Sequence, residues 1–346
     1  MEFFGLDIGD RSIKLVQLKQ EHDQLVLWQL GETISPQPGM RGKTAKEWSE
    51  VAVAVRNLVR ELKLKTKNVV VALPESEVIS RLIRFPSMKE REVKSALEFE
   101  AETFIPHPLD KIQMDYEIVA RDQNGQMLVF VVAVLKETIN KYLQMIKEAG
   151  LTPLALETPA VALVRIFAQL AKPTLIIDLE GQFTNLIVGK QGNVYLTRTI
   201  PIGTESFARA ISSSLGLEEN VAESYRRAYG LSNQELEGRV RSAMMPLFNR
   251  LMDEVRRAFF SFKEDWHDEV GLLILSGDGA STPEFSEEMA KLLGLEVQVA
   301  QPFSQVRIVN PPVIDLQKEG SRFSVAFGLA SRGFSLNSAQ NEATED

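Results

Sequence analysis

The sequence predicts an α/β protein: a duplicated two-domain fold with a smaller subdomain inserted in its first half. Three observations carry this. Short apolar runs with period-2 alternation take turns with amphipathic helical stretches along the 346 residues. A strand–turn–strand pattern at the start recurs about half the chain later. A block of different rhythm, strand–helix–strand–strand–helix, interrupts the first half at about 75–150.

The elements follow in order. Residues 3–8 hold Phe3, Phe4, Leu6 and Ile8 and read as a buried strand. Residues 12–19 alternate through Ile13, Leu15, Val16 and Leu18, a polar turn fills 20–24, and 25–34 is a third strand. The chain thus opens as an antiparallel meander. A loop with two prolines and two glycines spans 35–42. Thr44 opens a helix with Glu47 three residues on, a capping box. Trp48, Val51, Val55, Leu58, Val59 and Leu62 form its apolar stripe. Residues 68–73 are an apolar strand ended by Pro74.

The inserted block begins with a strand over 78–85. Ser87 and Glu90 predict a second capping box, for a helix that runs to about Phe104 and stops at Ile105-Pro106-His107-Pro108. Strands over 112–120 and 126–135 flank a hairpin turn at 121–125. A helix over 136–149 closes at Gly150.

The second half holds a strand at 154–157, a helix over 159–170 and strands over 174–179, 184–189 and 194–201. Helices follow at about 204–215 and 218–229, with a largely helical stretch over 232–268. A strand at 272–275, a helix over 282–293 and a strand at 296–299 come next. Residues 302–321 read as an irregular loop and 323–334 as the last helix. The expected domains are 1–155, carrying the insert, and 156–322. A final helix at 323–336 returns to the first domain, and 337–346 is a frayed polar tail.

Composition removes whole classes of chemistry. The chain has no cysteine, which excludes disulfides, thiolate nucleophiles and cysteine-ligated metal. Its three histidines, His22, His107 and His267, lack ligand-like spacing. With 39 Lys+Arg against 47 Asp+Glu the net charge is −8, which disfavours a nucleic-acid surface. No apolar run approaches the roughly 18–20 residues of a membrane span, and the start lacks the basic segment of a signal peptide. The tail is not an amphipathic anchor. A cytoplasmic protein without direct membrane insertion is expected.

The repeat points to a cleft. Asp7-Ile8-Gly9-Asp10-Arg11-Ser12-Ile13-Lys14 matches Asp178-Leu179-Glu180-Gly181-Gln182-Phe183-Thr184-Asn185: a strand-end Asp, a tight turn and a second strand. Such turns aim backbone N–H groups into one concavity that attracts anions. A strand-end Asp cannot bind phosphate itself, but Asp7 and Asp178 as a pair suit a hydrated Mg²⁺ that bridges to phosphates. Otherwise they cap their own turns. A third element, 272–281, runs a strand into a turn with Gly277, Gly279 and Ala280, which lets a nucleoside or phosphate approach the backbone.

On these motifs the chain resembles the actin/Hsp70/sugar-kinase superfamily, and more closely the PilM family of type IV pilus assembly. The start Gly5-Leu6-Asp7-Ile8-Gly9, the segment Phe104-Ile105-Pro106 and the stretch 222–230 are similar to that family. The resemblance implies an actin-like (ribonuclease H-like duplicated) fold with an SHS2-like insert, binding ATP and Mg²⁺. In it Asp7, Gly9, Asp10, Arg11, Ser12 and Lys14 form the first phosphate loop. Asp178, Gly181 and Thr184 belong to the second, and Gly277, Gly279 and Ala280 to the adenosine motif. Asp7 and Asp178 hold the metal. Glu223 and Arg226 frame the nucleoside, or else form a surface i,i+3 ion pair worth roughly 0.2–0.5 kcal/mol. Lys14 neutralises phosphate, or is a solvated strand residue.

The resemblance also implies a partner: the N-terminal cytoplasmic peptide of a PilN-like inner-membrane protein. It lies in a groove beside the insert, near Leu97, Phe99, Phe104 and Ile105, unless those side chains are core. The family is a scaffold between pilus motor components and the membrane complex, so recruitment to the inner membrane is expected. No residue reads as a catalytic base, so slow or absent ATPase activity is expected. A sugar or acid kinase, or an FtsA-like filament former, are the rival readings. The sequence departs from the pattern at Glu180 and Asp278, where the family usually has glycine. A carboxylate about 4 Å from a phosphate costs on the order of 1–4 kcal/mol.

Overall fold

The computed structural model describes residues 1–22, 24–121 and 125–334. Asp23 in the turn at 20–24, the middle of the turn at 121–125 and the tail at 337–346 lie outside the described residues.

The opening meander is β1 (Phe4–Ile8), β2 (Ser12–Glu21) and β3 (Gln24–Ile34), and β4 (Asn68–Ala72) follows the helix Ala45–Glu61. The insert supplies β5 (Val78–Phe85), β6 (Ile112–Arg121) and β7 (Met127–Leu135), after which β8 (Thr152–Glu157) resumes the first half. The second meander is β9 (Thr174–Leu179), β10 (Thr184–Lys190) and β11 (Asn193–Ile200). It is followed by β12 (Leu272–Ser276), β13 (Val297–Val299) and β14 (Arg307–Ile308). Among the described residues three sheets result, ordered β14-β3-β2-β1-β4-β8, β11-β10-β9-β12-β13 and β5-β7-β6.

The duplication is plain in the pairing. β1 lies antiparallel to β2 and parallel to β4, as β9 lies antiparallel to β10 and parallel to β12. Parallel partners need a long crossover. The helix Ala45–Glu61 provides it in the first half, and the helices Thr204–Leu215, Glu219–Tyr229 and Arg239–Trp266 in the second. Register then fixes the repeat's polar residues: Asp7 stands opposite Lys14, and Asp178 opposite Asn185.

The predicted cap at Thr44 forms, its side chain accepting from the Glu47 N–H while Glu47 Oε2 accepts from the Thr44 N–H at 2.9 Å. That helix turns Val51, Val55 and Leu58 onto Leu6, Val69 and Val71 of β1 and β4. The last helix, Ser324–Ala330, lies directly on β1: a Cβ on Gly5 would sit 2.2 Å from the Ala326 carbonyl oxygen. Glycine is required there for the contact.

Five expectations are corrected. The insert's first helix is Glu90–Ala101 and is capped not by Ser87 and Glu90 but by Glu92, which accepts from the Lys89 N–H at 3.1 Å. It ends before Phe104, because Ile105 precedes a proline and turns out of the helix. The loop 302–321 contains β14, parallel to β3, and the short helix Leu316–Glu319 capped by Asp315. Two-residue strands carry no readable period. The helices expected at 282–293 and 323–334 are shorter, Phe285–Leu293 and Ser324–Ala330, the latter entered through a 3₁₀ turn at Gly320–Phe323.

Candidate functional site

The turns after β1 and β9 face each other across a cleft between the two large sheets. A cavity of about 90 Å³ between them is lined by Asp7, Asp10, Glu75, Asp178 and Glu180, with Asn185 and Phe183. Burial pushes the Asp7 carboxyl up to about 6 against the pull of Lys14. It pushes Asp178 up to about 7, with Asp7 adding to the effect. Both Asp178 oxygens are buried without a hydrogen bond of ordinary geometry. Glu75 accepts from the Ala160 N–H at 3.2 Å, and burial lifts it to about 7. Its place in the cleft was not foreseen, because strand-end glutamates have no distinguishing spacing.

Lys14 is fully buried, not a solvated strand residue. Its Nζ lies 3.0 Å from Asp278 Oδ1 and 3.6 Å from Glu180 Oε2. Burial opposes the ammonium charge, but Asp278, Glu180 and Asp7 outweigh it and hold the group well above its usual value. Asp278 receives a second cation, Arg322, whose Nε lies 3.2 Å away. Burial would raise Asp278, yet Lys14 and Arg322 hold it down to about 2. Arg322 also pairs with Glu32 of β3 at 2.6 Å. It lies in the 3₁₀ turn Gly320–Phe323, at the junction between the expected loop and the expected last helix, where no sequence signal marked it.

Glu223 and Arg226 form a buried pair, not a surface one. Arg226 is 1% exposed, meets Glu223 at 2.8 Å through Nε and 2.9 Å through Nη2, and donates to Thr282 Oγ1. Arg11 joins from the opposing turn, 3.4 Å from Glu223. Arg41 pairs with Asp10 at 3.0 Å and also bonds Gln182 across the cleft. The Thr184 hydroxyl donates to the Ile202 carbonyl at 2.6 Å. The Ser12 hydroxyl is buried without a partner.

The glycines are spent on close packing. The Gly9 N–H closes its turn on the Ser12 carbonyl, and Gly181 makes room for the Arg11 side chain. A Cβ on Gly277, which has φ +86°, would lie 2.6 Å from the Leu179 carbonyl oxygen. One on Gly279 would lie 2.2 Å from the Leu179 side chain. Ala280 is buried beside them.

The donor set does not fit MgATP. A triphosphate is polyanionic, whereas the cavity lining brings five carboxylates together, among apolar neighbours such as Ile8, Leu73 and Val325, and the buried lysine is already paired. A carboxylate facing a phosphate is repulsive unless a cation stands between. Among the described residues no three His, Cys, Asp or Glu side chains are grouped to hold a metal ion.

The insert places its four expected contact residues differently. Val93, Leu97 and Ala101 share the buried face of the helix, and Leu97 packs with Phe85, Met127 and Val129. Ile105 is also core, beside Ile112 and Ala133. Phe99 points outward and is 75% exposed. Phe104 is half-buried, with the Arg81 guanidinium over its ring at 5.1 Å.

Two facing halves, each built on the same meander and crossover, define an actin-like protein. Ethanolamine utilization protein EutJ from Carboxydothermus hydrogenoformans shares the fold, at 15% identity, covering 95% of this chain and 89% of that one with TM-score 0.58. So does MreB5 of Spiroplasma citri bound to ADP, at 12% identity, covering 94% of each chain with TM-score 0.50. Residues 5–334 match the family of type IV pilus assembly protein PilM. The chain belongs to that family, as its motifs predict. It is similar to the PilM-PilN type IV pilus biogenesis complex, at 27% identity over 97% of this chain and 99% of that one, with TM-score 0.85. Among the described residues no helix is long and apolar enough to cross a membrane.

Proposed function

We propose that this protein is a cytoplasmic adaptor of type IV pilus assembly. It takes the N-terminal cytoplasmic peptide of a PilN-like inner-membrane protein and is thereby held at the inner face of that membrane. The observation that carries this is the likeness to the PilM-PilN complex over nearly the whole chain, insert included. Residues 1–155 and 156–322 act as two halves of one body, and the insert at about 75–150 presents the peptide surface. Phe99 and Phe104 offer the exposed and half-exposed aromatic area there; aromatic anchors are where binding energy concentrates.

The reading requires peptide capture and no chemistry. A fluorescently labelled peptide copying the partner's cytoplasmic N-terminus, titrated with the full chain, is expected to show saturable anisotropy that an unlabelled copy competes away. A peptide of the same composition in scrambled order is expected to stay free. Equal binding of both would refute the adaptor.

A further inference from the structure

The cations at the two facing turns are already answered by the chain's own carboxylates. Lys14 meets Asp278 and Glu180, Arg11 meets Glu223, and Arg41 meets Asp10. The pairs of Lys14 and Arg11 cross from one half to the other. Lys14 stands on β2 in the first sheet, while Glu180 follows β9 and Asp278 follows β12 in the second. Arg322 extends the same network back, linking Asp278 to Glu32 on β3. The Gly277 and Gly279 positions face Leu179 and Glu180 of their own half, not open space. The cavity between the turns holds about 90 Å³, with five carboxylates in its lining. Small-molecule sites usually occupy roughly 300–1,000 Å³.

We propose that Asp278, with Glu180 beside it, acts as a built-in anion at Lys14, standing where a bound nucleotide's phosphates would, so that the chain holds its two halves together by itself and its cleft excludes MgATP. A buried ammonium needs a partner anion. In an open nucleotide cleft that anion is the ligand. Here it is supplied by side chains on the opposing half, and it cannot dissociate. The state of the cleft is therefore constant, and partner binding on the insert is not gated by nucleotide. This inference does not rest on the adaptor reading.

The probe is MgATP itself, titrated to millimolar concentration into the full chain. Two readouts are used: isothermal calorimetry, and the thermal midpoint, which a ligand of the folded state raises. The wild-type chain is expected to give no saturable heat and an unmoved midpoint. The charge-removing pair Glu180→Gln with Asp278→Asn frees Lys14 for phosphate while keeping side-chain size. It is expected to gain saturable binding and a midpoint rise of several degrees. Saturable binding by the wild type overturns the proposal. So does a double variant that is folded by circular dichroism and still ignores MgATP. Should the double variant not fold, Asp278→Asn alone serves, because it removes the 3.0 Å partner of Lys14 while Arg322 keeps Glu32 and Glu319. A folded single variant whose midpoint MgATP leaves unchanged counts against the idea equally. Peptide anisotropy on the same samples reports the adaptor function separately, so loss of one leaves the other standing.

Discussion

Lys14 and Asp278 meet at 3.0 Å with both side chains buried, and they come from opposite halves of the fold. The pair therefore does two things at once. It gives a buried ammonium its counter-charge, and it ties the two sheets across their cleft.

Removing the cation should be costly. Lys14→Met leaves Asp278 and Glu180 facing each other with Arg322 as the remaining counter-charge. Breaking a buried pair by deleting one partner costs about 3–5 kcal/mol. Urea unfolding is expected to show that loss, and the two halves should exchange amide hydrogen faster at β1 and β9. A loss below about 1 kcal/mol, the size of an exposed pair, would mean the ion pair does not hold the cleft.

Glu223→Gln tests a second crossing contact. The sequence left Glu223 and Arg226 open between a nucleoside frame and a surface pair of a few tenths of a kcal/mol. Burial decides against the surface pair, because Arg226 would keep its charge at 1% exposure with its main partner neutralised. The expected destabilisation is about 2–4 kcal/mol, read by thermal unfolding. A change within a few tenths would restore the surface reading.

Much of this fold was legible because it rests on local pattern. The two meanders, the Thr44 cap and the helices at about 204–215 and 218–229 follow from period and capping. The pairing of Asp7 with Lys14 follows from hairpin register. The cleft network was legible only in half. Glu180 and Asp278 stood out as misfits to a phosphate site, but Lys14, their shared partner, lies near the other end of the chain. Contacts of that separation leave no spacing to read. Arg322 was hidden for the same reason, in a 3₁₀ turn just after a stretch whose two-residue strand and one-turn helix fall below any periodicity. Leu97 and Phe99 were grouped as one surface because both are apolar, yet two residues apart on a helix point to different faces.

Glu75 should give the protein an unusual pH profile. Burial raises its carboxyl in the folded state to about 7, above the ordinary value near 4.5, with Asp178 adding repulsion. The folded chain thus holds this proton more tightly than the unfolded one. Stability is full below about pH 4.5 and falls as pH rises towards 7, by about 3 kcal/mol for this group alone. Asp278 works oppositely: held down to about 2, its contribution is present above about pH 4 and is lost as pH falls towards 2. For these two groups taken together, stability is greatest near pH 4–5. Glu75→Gln is expected to raise the unfolding midpoint at pH 8 and leave it nearly unchanged at pH 4. An equal shift at both values would assign the effect to packing instead of charge.

Phe99 and Leu97 separate recognition from folding on one helix. Phe99→Ala removes an outward ring, 75% exposed, that contributes little to the folded core. Its unfolding free energy should stay within about 0.5 kcal/mol of wild type. Its affinity for the partner peptide should fall roughly tenfold or more, as for a truncated aromatic anchor. Leu97→Ala instead opens a cavity against Phe85, Met127 and Val129 and should cost about 2–5 kcal/mol. Peptide binding would then drop only as far as the insert unfolds, and should recover at lower temperature or in a stabilising osmolyte. Anisotropy titrations and chemical unfolding on the same samples distinguish the two. A Phe99→Ala chain that binds the peptide as wild type does would move the contact surface away from this helix, towards Phe104 and the Arg81 guanidinium above it.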